Sequence, residues 1–108
     1  MFINEIEVTE LANLLDNNNQ PVEIIDIREA QEIASGTVPS ARHIPMATLP
    51  MRIDELPRDR QVVMVCRSGA RSGHACAWLM QQGFDNVYNL RGGMMAWHSC
   101  GLDLQQSA

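Results

Sequence analysis

The stretch Val62 to Ser72, VVMVCRSGARS, gathers the residues best suited to chemistry. An apolar run ends at Cys66, and Arg67, Ser68, Gly69, Ala70, Arg71 and Ser72 follow at once. The chain has no lysine, yet two of its eight cationic side chains flank this one thiol. Gly69 allows a tight loop to take positive φ at little cost, so that successive N–H groups turn inward as an anion nest. A helix starting near Arg71 adds its free N–H groups and partial positive charge. Two guanidinium charges complete the surroundings. Such an environment typically lowers a cysteine pKa from ~8.5 to between ~4 and ~7. The thiolate is the nucleophile, so Cys66 is the expected reactive residue. A cysteine that merely ends a buried strand acts as a small hydrophobe and needs no such loop.

The other cysteines read differently. Cys76 falls on an apolar helix face beside Ala75 and Leu79 and is expected to be inert core. Cys100 precedes Gly101, and no resolving role is expected of it. Three cysteines do not make a disulfide framework. No Cys-x-x-Cys pair occurs, and His43, His74 and His98 are scattered, so no metal site is expected. His74, one turn into the helix after the loop, is read as a surface residue.

The elements that must position Cys66 alternate along the chain. Glu5 to Val8 reads as a first strand, and Thr9 as the N-cap of a helix through Leu15. Asn17 to Pro21 reads as a loop. Val22 to Ile27 reads as a buried strand, and Glu29 to Ser35 as a short helix stopped at Gly36. Prolines at 39, 45 and 50 leave room for only a short strand near His43 and Ile44, with a helical turn or two over Met51 to Leu56. Gln61 to Val65 has the near-continuous apolar character of a strand buried on both faces. A helix over Arg71 to Gln82, a strand over Asn86 to Leu90, a turn at Gly92 and Gly93 and a helix over Met94 to Ser99 complete the pattern. This rhythm predicts an α/β fold, with parallel strands and crossovers on both faces of one sheet. Ligands bind such sheets beyond the carboxyl ends of the strands, which is where Cys66 lies.

Composition narrows the function classes. At 108 residues the chain fits one domain, 1–108. A net charge of −5 argues against nucleic acid as a partner, because phosphate binding needs a basic face. The first ten residues carry three glutamates and no positive n-region, and no apolar run approaches the ~20 residues that span a bilayer. No membrane association and a reducing, cytoplasmic setting are therefore expected, where cysteines stay free.

At this point the residues resemble a family, the single-domain rhodaneses (thiosulfate sulfurtransferases). CRSGAR is similar to the family's active loop. IIDIRE followed by GTVPSARHIP resembles its first signature, and GFDNVYNLRGGMMAW with CGLDL its C-terminal one. These stretches span most of the chain in the expected order. Thr37 departs from the family's usual histidine, and Val38 and Ser40 are also off pattern; that segment reads as structural. Asp26 is read as a helix cap, and Arg28 as a partner of Glu32 or of Asp26. Gly92 and Gly93 are read as a backbone turn, and Trp78 and Trp97 as packing, with Trp97 following a loop near the pocket.

The resemblance implies a roughly five-stranded, mostly parallel sheet and a persulfide mechanism with Cys66 as sulfur carrier, needing no cofactor. The donor it implies is a small anion, thiosulfate, bound by Arg67, Ser68, Gly69, Ala70, Arg71 and Ser72. The acceptor is cyanide, a thiol or a protein cysteine. Of the two arginines, Arg71 is the expected direct contact and Arg67 the steering charge. Phosphatases of the same fold carry Cys-x5-Arg, whereas here Ser72 holds the sixth position and Arg71 the fifth. The shorter cradle suits a sulfur atom better than a phosphoryl group, and Ser72 is placed to donate a hydrogen bond to it. Loops acting on mercaptopyruvate resemble Cys-Gly-Ser-Gly-Val-Thr and lack these charges. A second reading makes the chain a sulfur-carrier or regulatory module whose partner is a protein.

Overall fold

The structure is a computed structural model that describes residues 2–17 and 21–106. In the expected loop before Pro21, Asn18, Asn19 and Gln20 lie outside the described residues. The described elements are β1 (Glu5–Ile6), α1 (Val8–Asn17), β2 (Val22–Asp26), α2 (Ala30–Ile33), β3 (Arg42–His43), a 3-10 segment (Met46–Glu55), β4 (Gln61–Val65), α3 (Ala70–Gln81), β5 (Val87–Leu90) and α4 (Gly93–Ser99). One five-stranded sheet, ordered β1-β5-β4-β2-β3, has every pairing parallel. This is the α/β architecture that the alternation predicts.

Strand β4 is central because Val62, Val63, Met64 and Val65 are fully buried, as a strand covered on both faces requires. Its side chains alternate between two cores. Val62, Met64 and Cys66 pack with Ala75, Cys76 and Leu79 of α3 and with Leu49 and Leu56 around the 3-10 segment. Val63 and Val65 pack with Leu11 of α1 and with Met94 and Trp97 of α4. Cys66 thus inherits the α3 side of the sheet by strand parity.

Three local expectations are corrected and one holds. Helix α1 begins at Val8, not after Thr9, because the Glu10 carboxylate accepts the Glu7 N–H and so caps the end two residues earlier. Glu29, not Asp26, is the N-cap of α2, in a reciprocal box with Glu32. Asp26 instead is buried and pairs with Arg28: Nε donates to both carboxylate oxygens, at 2.9 and 3.0 Å, and Nη2 donates at 2.8 Å. The turn or two expected over Met51 to Leu56 is a longer 3-10 run with Pro50 inside and a break at Arg52, because a proline cannot donate to an α-helical ladder. The departure at Thr37 is structural, since its hydroxyl donates to Asp26 at 2.7 Å.

Candidate active site

Cys66 follows β4 directly, and the chain then turns through a loop into α3. Gly69 makes that turn at φ +98°, a conformation that favours glycine. As a result the loop folds back on the sulfur. Cys66 Sγ accepts hydrogen bonds from the Gly69 N–H at 3.1 Å and the Ser72 N–H at 3.3 Å. The Ser72 hydroxyl lies 3.2 Å from the same atom. The sixth-position serine therefore does what its spacing predicts. Cys66 is only 1 % exposed, so the sulfur sits at the floor of the loop.

Burial alone pushes the Cys66 thiol up. The Ser72 hydroxyl outweighs it, together with the N–H groups of Ser72, Gly69 and Ser68, and the thiol lies below its ordinary value. Hydrogen bonds are the principal cause, rather than the guanidinium charges emphasised by the sequence. Cys76 shows the contrast. Burial, with the nearby Glu5 and Cys66 charges, pushes its thiol up to about 12. Cys100 is exposed and free, and His74 is exposed on α3.

The two arginines divide differently from expectation. Arg71 does not stand open to the loop; its two terminal nitrogens each donate to one oxygen of the Glu32 carboxylate at 2.9 Å. These bonds hold the Glu32 carboxyl down at about 2 against a burial that pushes it up, so the pair persists throughout the neutral range. Its Arg28 neighbour is equally committed, to Asp26 and to the carbonyls of Glu32 and Gly36. Arg67 is exposed, and its side chain has no ion-pair partner among the described residues. It lines a cleft of about 490 Å³ between α2 and α4, with Glu32, Ser35, Met95 and His98. Trp97 faces away from this cleft, buried on the α1 side with its indole N–H donating to the Asp103 carbonyl.

The two glycines at the start of α4, Gly92 as its N-cap and Gly93 as its first residue, do more than turn the chain. The Met94 and Met95 N–H groups donate to the Cys66 and Arg67 carbonyls, both at 2.9 Å. That fixes the peptides whose other ends feed the loop. The approach depends on Gly93, at φ +55°, because a Cβ there would stand 2.6 Å from the Arg67 carbonyl oxygen and closer still to that of Cys66.

Sequence reasoning missed two residues. Glu32 was visible only as a local partner for Arg28, although an acidic residue with two arginines to choose from is a signal. Asn89 was visible as a lone polar side chain in an apolar strand. It is buried beneath the loop, where its amide oxygen meets the Ser72 hydroxyl and its amide nitrogen reaches the Gly69 carbonyl at 3.1 Å.

Comparisons with known proteins agree with this geometry. Residues 7–100 match the Rhodanese-like domain family. A protein of Allochromatium vinosum named Sulfurtransferase is 49% identical over 103 residues, covering 95% of each chain. The Thiosulfate sulfurtransferase GlpE of Shewanella oneidensis is 34% identical over 93 residues, covering 86% of this chain and 90% of its own. A rhodanese-like domain protein from Staphylococcus aureus superposes with a TM-score of 0.86 at 34% identity, covering 98% of this chain and 100% of the other. A loop folded around a strand-end thiol, on a parallel sheet shared with these relatives, places the chain in the rhodanese-like family of sulfurtransferases.

Proposed function

We propose that the chain, acting as one rhodanese-like domain, moves the sulfane sulfur of thiosulfate to a thiophilic acceptor through a persulfide on Cys66. The observation that carries this reading is the cradle at the end of β4, where two N–H groups and a hydroxyl converge on one sulfur. The name of the Shewanella oneidensis relative supports thiosulfate as donor.

The chemistry is two displacements. The Cys66 thiolate attacks the outer sulfur of thiosulfate and a new S–S bond forms. The old S–S bond breaks, and its electron pair leaves with sulfite. The outer sulfur then carries the negative charge, within reach of the loop N–H groups from Arg67 to Ser72. Cyanide, a thiol or a protein cysteine next attacks that outer sulfur, and the electron pair returns to Cys66. No step requires a metal or an organic cofactor. A reducing, cytoplasmic compartment keeps Cys66 free for the cycle.

Intact mass tests this directly. After thiosulfate treatment the protein should gain one sulfur atom, mapped to Cys66, and cyanide should remove it as thiocyanate. A protein that stays unmodified would overturn the reading. The carrier reading is favoured by one feature: Met95, 54 % exposed, stands beside Arg67 on the cleft wall, an apolar and cationic pair suited to a protein surface.

The ion pair between Arg71 and Glu32 favours Arg67 as the more costly of the two arginines to lose. Arg67, exposed and with no ion-pair partner among the described residues, is the steering charge for the dianion. Arg67→Ala should lower kcat/KM for thiosulfate about three- to tenfold at low salt, and the effect should shrink as ionic strength rises. Arg71→Ala should cost less, because Glu32 already neutralises that charge. A larger loss with Arg71→Ala would mean that the donor displaces Glu32 and takes the guanidinium for itself.

A further inference from the structure

Asn89 sits on β5 opposite Met64 of β4 and Glu5 of β1, and only 4 % of it is exposed. Its strand neighbour of the same parity, Val87, packs into the apolar core against α3. An amide in such a place needs a reason. Its nitrogen donates to the Gly69 carbonyl at 3.1 Å and to Glu5 Oε2 at 3.2 Å. Turning the amide over would set its oxygen against those two acceptors, so the oxygen is committed to face Ser72. There it meets the Ser72 hydroxyl, which is fully buried.

A hydroxyl has one proton. The Ser72 hydroxyl has two acceptors within reach, Cys66 Sγ and Asn89 Oδ1. When Cys66 is a thiol, S–H donates to the hydroxyl oxygen and O–H donates to Asn89, and every group is satisfied. When Cys66 is a thiolate, the hydroxyl turns to the sulfur and the buried Asn89 oxygen loses its donor. When Cys66 carries the outer sulfur, its own sulfur is bonded on both sides and uncharged, and the hydroxyl is free to return to Asn89.

We propose that Asn89 is a positioning residue that competes with the Cys66 sulfur for the Ser72 hydroxyl proton, and so favours the sulfur-loaded state over the bare thiolate. It touches neither donor nor acceptor; it acts through Ser72. The proposal deepens the sulfur-transfer reading and rests on it for the loaded state, but the hydrogen-bond competition exists in the free protein. The effect is to offset part of the stabilisation that the Ser72 hydroxyl gives the resting thiolate, and to tilt the first displacement towards product. The charged and titratable groups around this relay are Glu5 on β1, Asp26 on β2, Glu32 on α2, Arg71, His74 and Cys76 on α3, Arg67 in the loop and His98 on α4. None of them changes identity in the test below.

The test is the pH profile of iodoacetamide alkylation, in a Cys100→Ser background that removes the exposed thiol. Asn89→Leu keeps the side-chain volume and deletes the acceptor. The Gly69 carbonyl keeps its helical bond from the Gly73 N–H, at 3.0 Å. The inflection for Cys66 should move down by about 0.5 to 1 in pH, a three- to tenfold change in its acid dissociation constant. Asn89→Ala should move it the same way. A merely structural Asn89 predicts the opposite sign, because a loosened loop loses N–H donors to the thiolate. In a Ser72→Ala background the downward shift should vanish. The ratio of loaded to bare protein, at fixed thiosulfate and sulfite, should fall by a similar three- to tenfold factor in Asn89→Leu. An inflection that stays put or rises in both Asn89 variants, while the wild type still loads sulfur, overturns this proposal and leaves the transfer reading standing. A downward shift in a protein whose wild type never loads sulfur sinks the transfer reading and leaves only the hydrogen-bond competition.

Discussion

Cys66→Ser should abolish sulfur transfer, with sulfite release from thiosulfate falling at least about a thousandfold. Serine keeps the shape of the floor and the hydrogen bonds of the loop, so the fold should survive. What it loses is an ionisable atom. A serine hydroxyl stays protonated at neutral pH under the same three donors, whereas the Cys66 thiol is already held below its ordinary value by them. Cys76→Ser and Cys100→Ser should keep most of the activity. Cys76 is buried with its thiol pushed up to about 12, and Cys100 lies after α4, outside the loop. The measurement is sulfite release together with persulfide mass on all three variants, with far-UV circular dichroism as a control for folding. A Cys66→Ser protein that released sulfite at a near-normal rate would remove Cys66 from the mechanism.

Asp26→Ala should be the most destabilising single change near the site, by about 3–5 kcal/mol. Asp26 and Arg28 are both buried, and the guanidinium has no water to turn to once the carboxylate is gone. Two of the Arg28 nitrogens also donate to the carbonyls of Glu32 and Gly36, at 3.2 and 2.8 Å, so the pair fastens the C-terminal end of α2 and the turn after it. Because α2 carries the Glu32 carboxylate that holds Arg71, the damage should reach the loop. In a domain of this size the loss corresponds to a fall in melting temperature of more than about 10 °C. Thr37→Val, which deletes only the hydroxyl bond to Asp26, should cost about 1 kcal/mol. Replacing both partners, as Asp26→Leu with Arg28→Met, should recover much of the Asp26→Ala loss, because the cost lies in the stranded charge. Thermal unfolding of the four proteins decides it. A melting temperature unchanged in Asp26→Ala would mean that solvent reaches Arg28.

Local pattern was enough for the frame of the site. The near-continuous apolar run from Gln61 to Val65 read as a strand covered on both faces, as it is, and it put Cys66 at a carboxyl edge. Gly69 followed by Ser72 set a turn and a helix start whose bonds close within six residues of the cysteine. Interactions of that range are written in the order of residue types. The role of Asp26 was misread for the same reason: a carboxylate three residues before a helix looks like a cap until a buried guanidinium and a hydroxyl eleven residues on compete for it.

The tertiary structure decided what each charge and each buried amide does. Arg71 and Glu32 are 39 residues apart, and only the packing of α2 beside the loop brings them to 2.9 Å. Before that packing, the sequence offers two cations around a thiol and no way to tell which one is already spoken for. Asn89 and Ser72 meet across 17 residues because β5 lies beside β4 in the sheet, a neighbour relation that strand pairing sets and strand pattern does not. Sequence alone determined which sulfur lies in the cradle of N–H groups and the hydroxyl, because a turn and a helix terminus are local. Which groups share its proton and its counter-charges was decided by the sheet order, because a hydrogen bond is fixed by distance in space and not by distance along the chain.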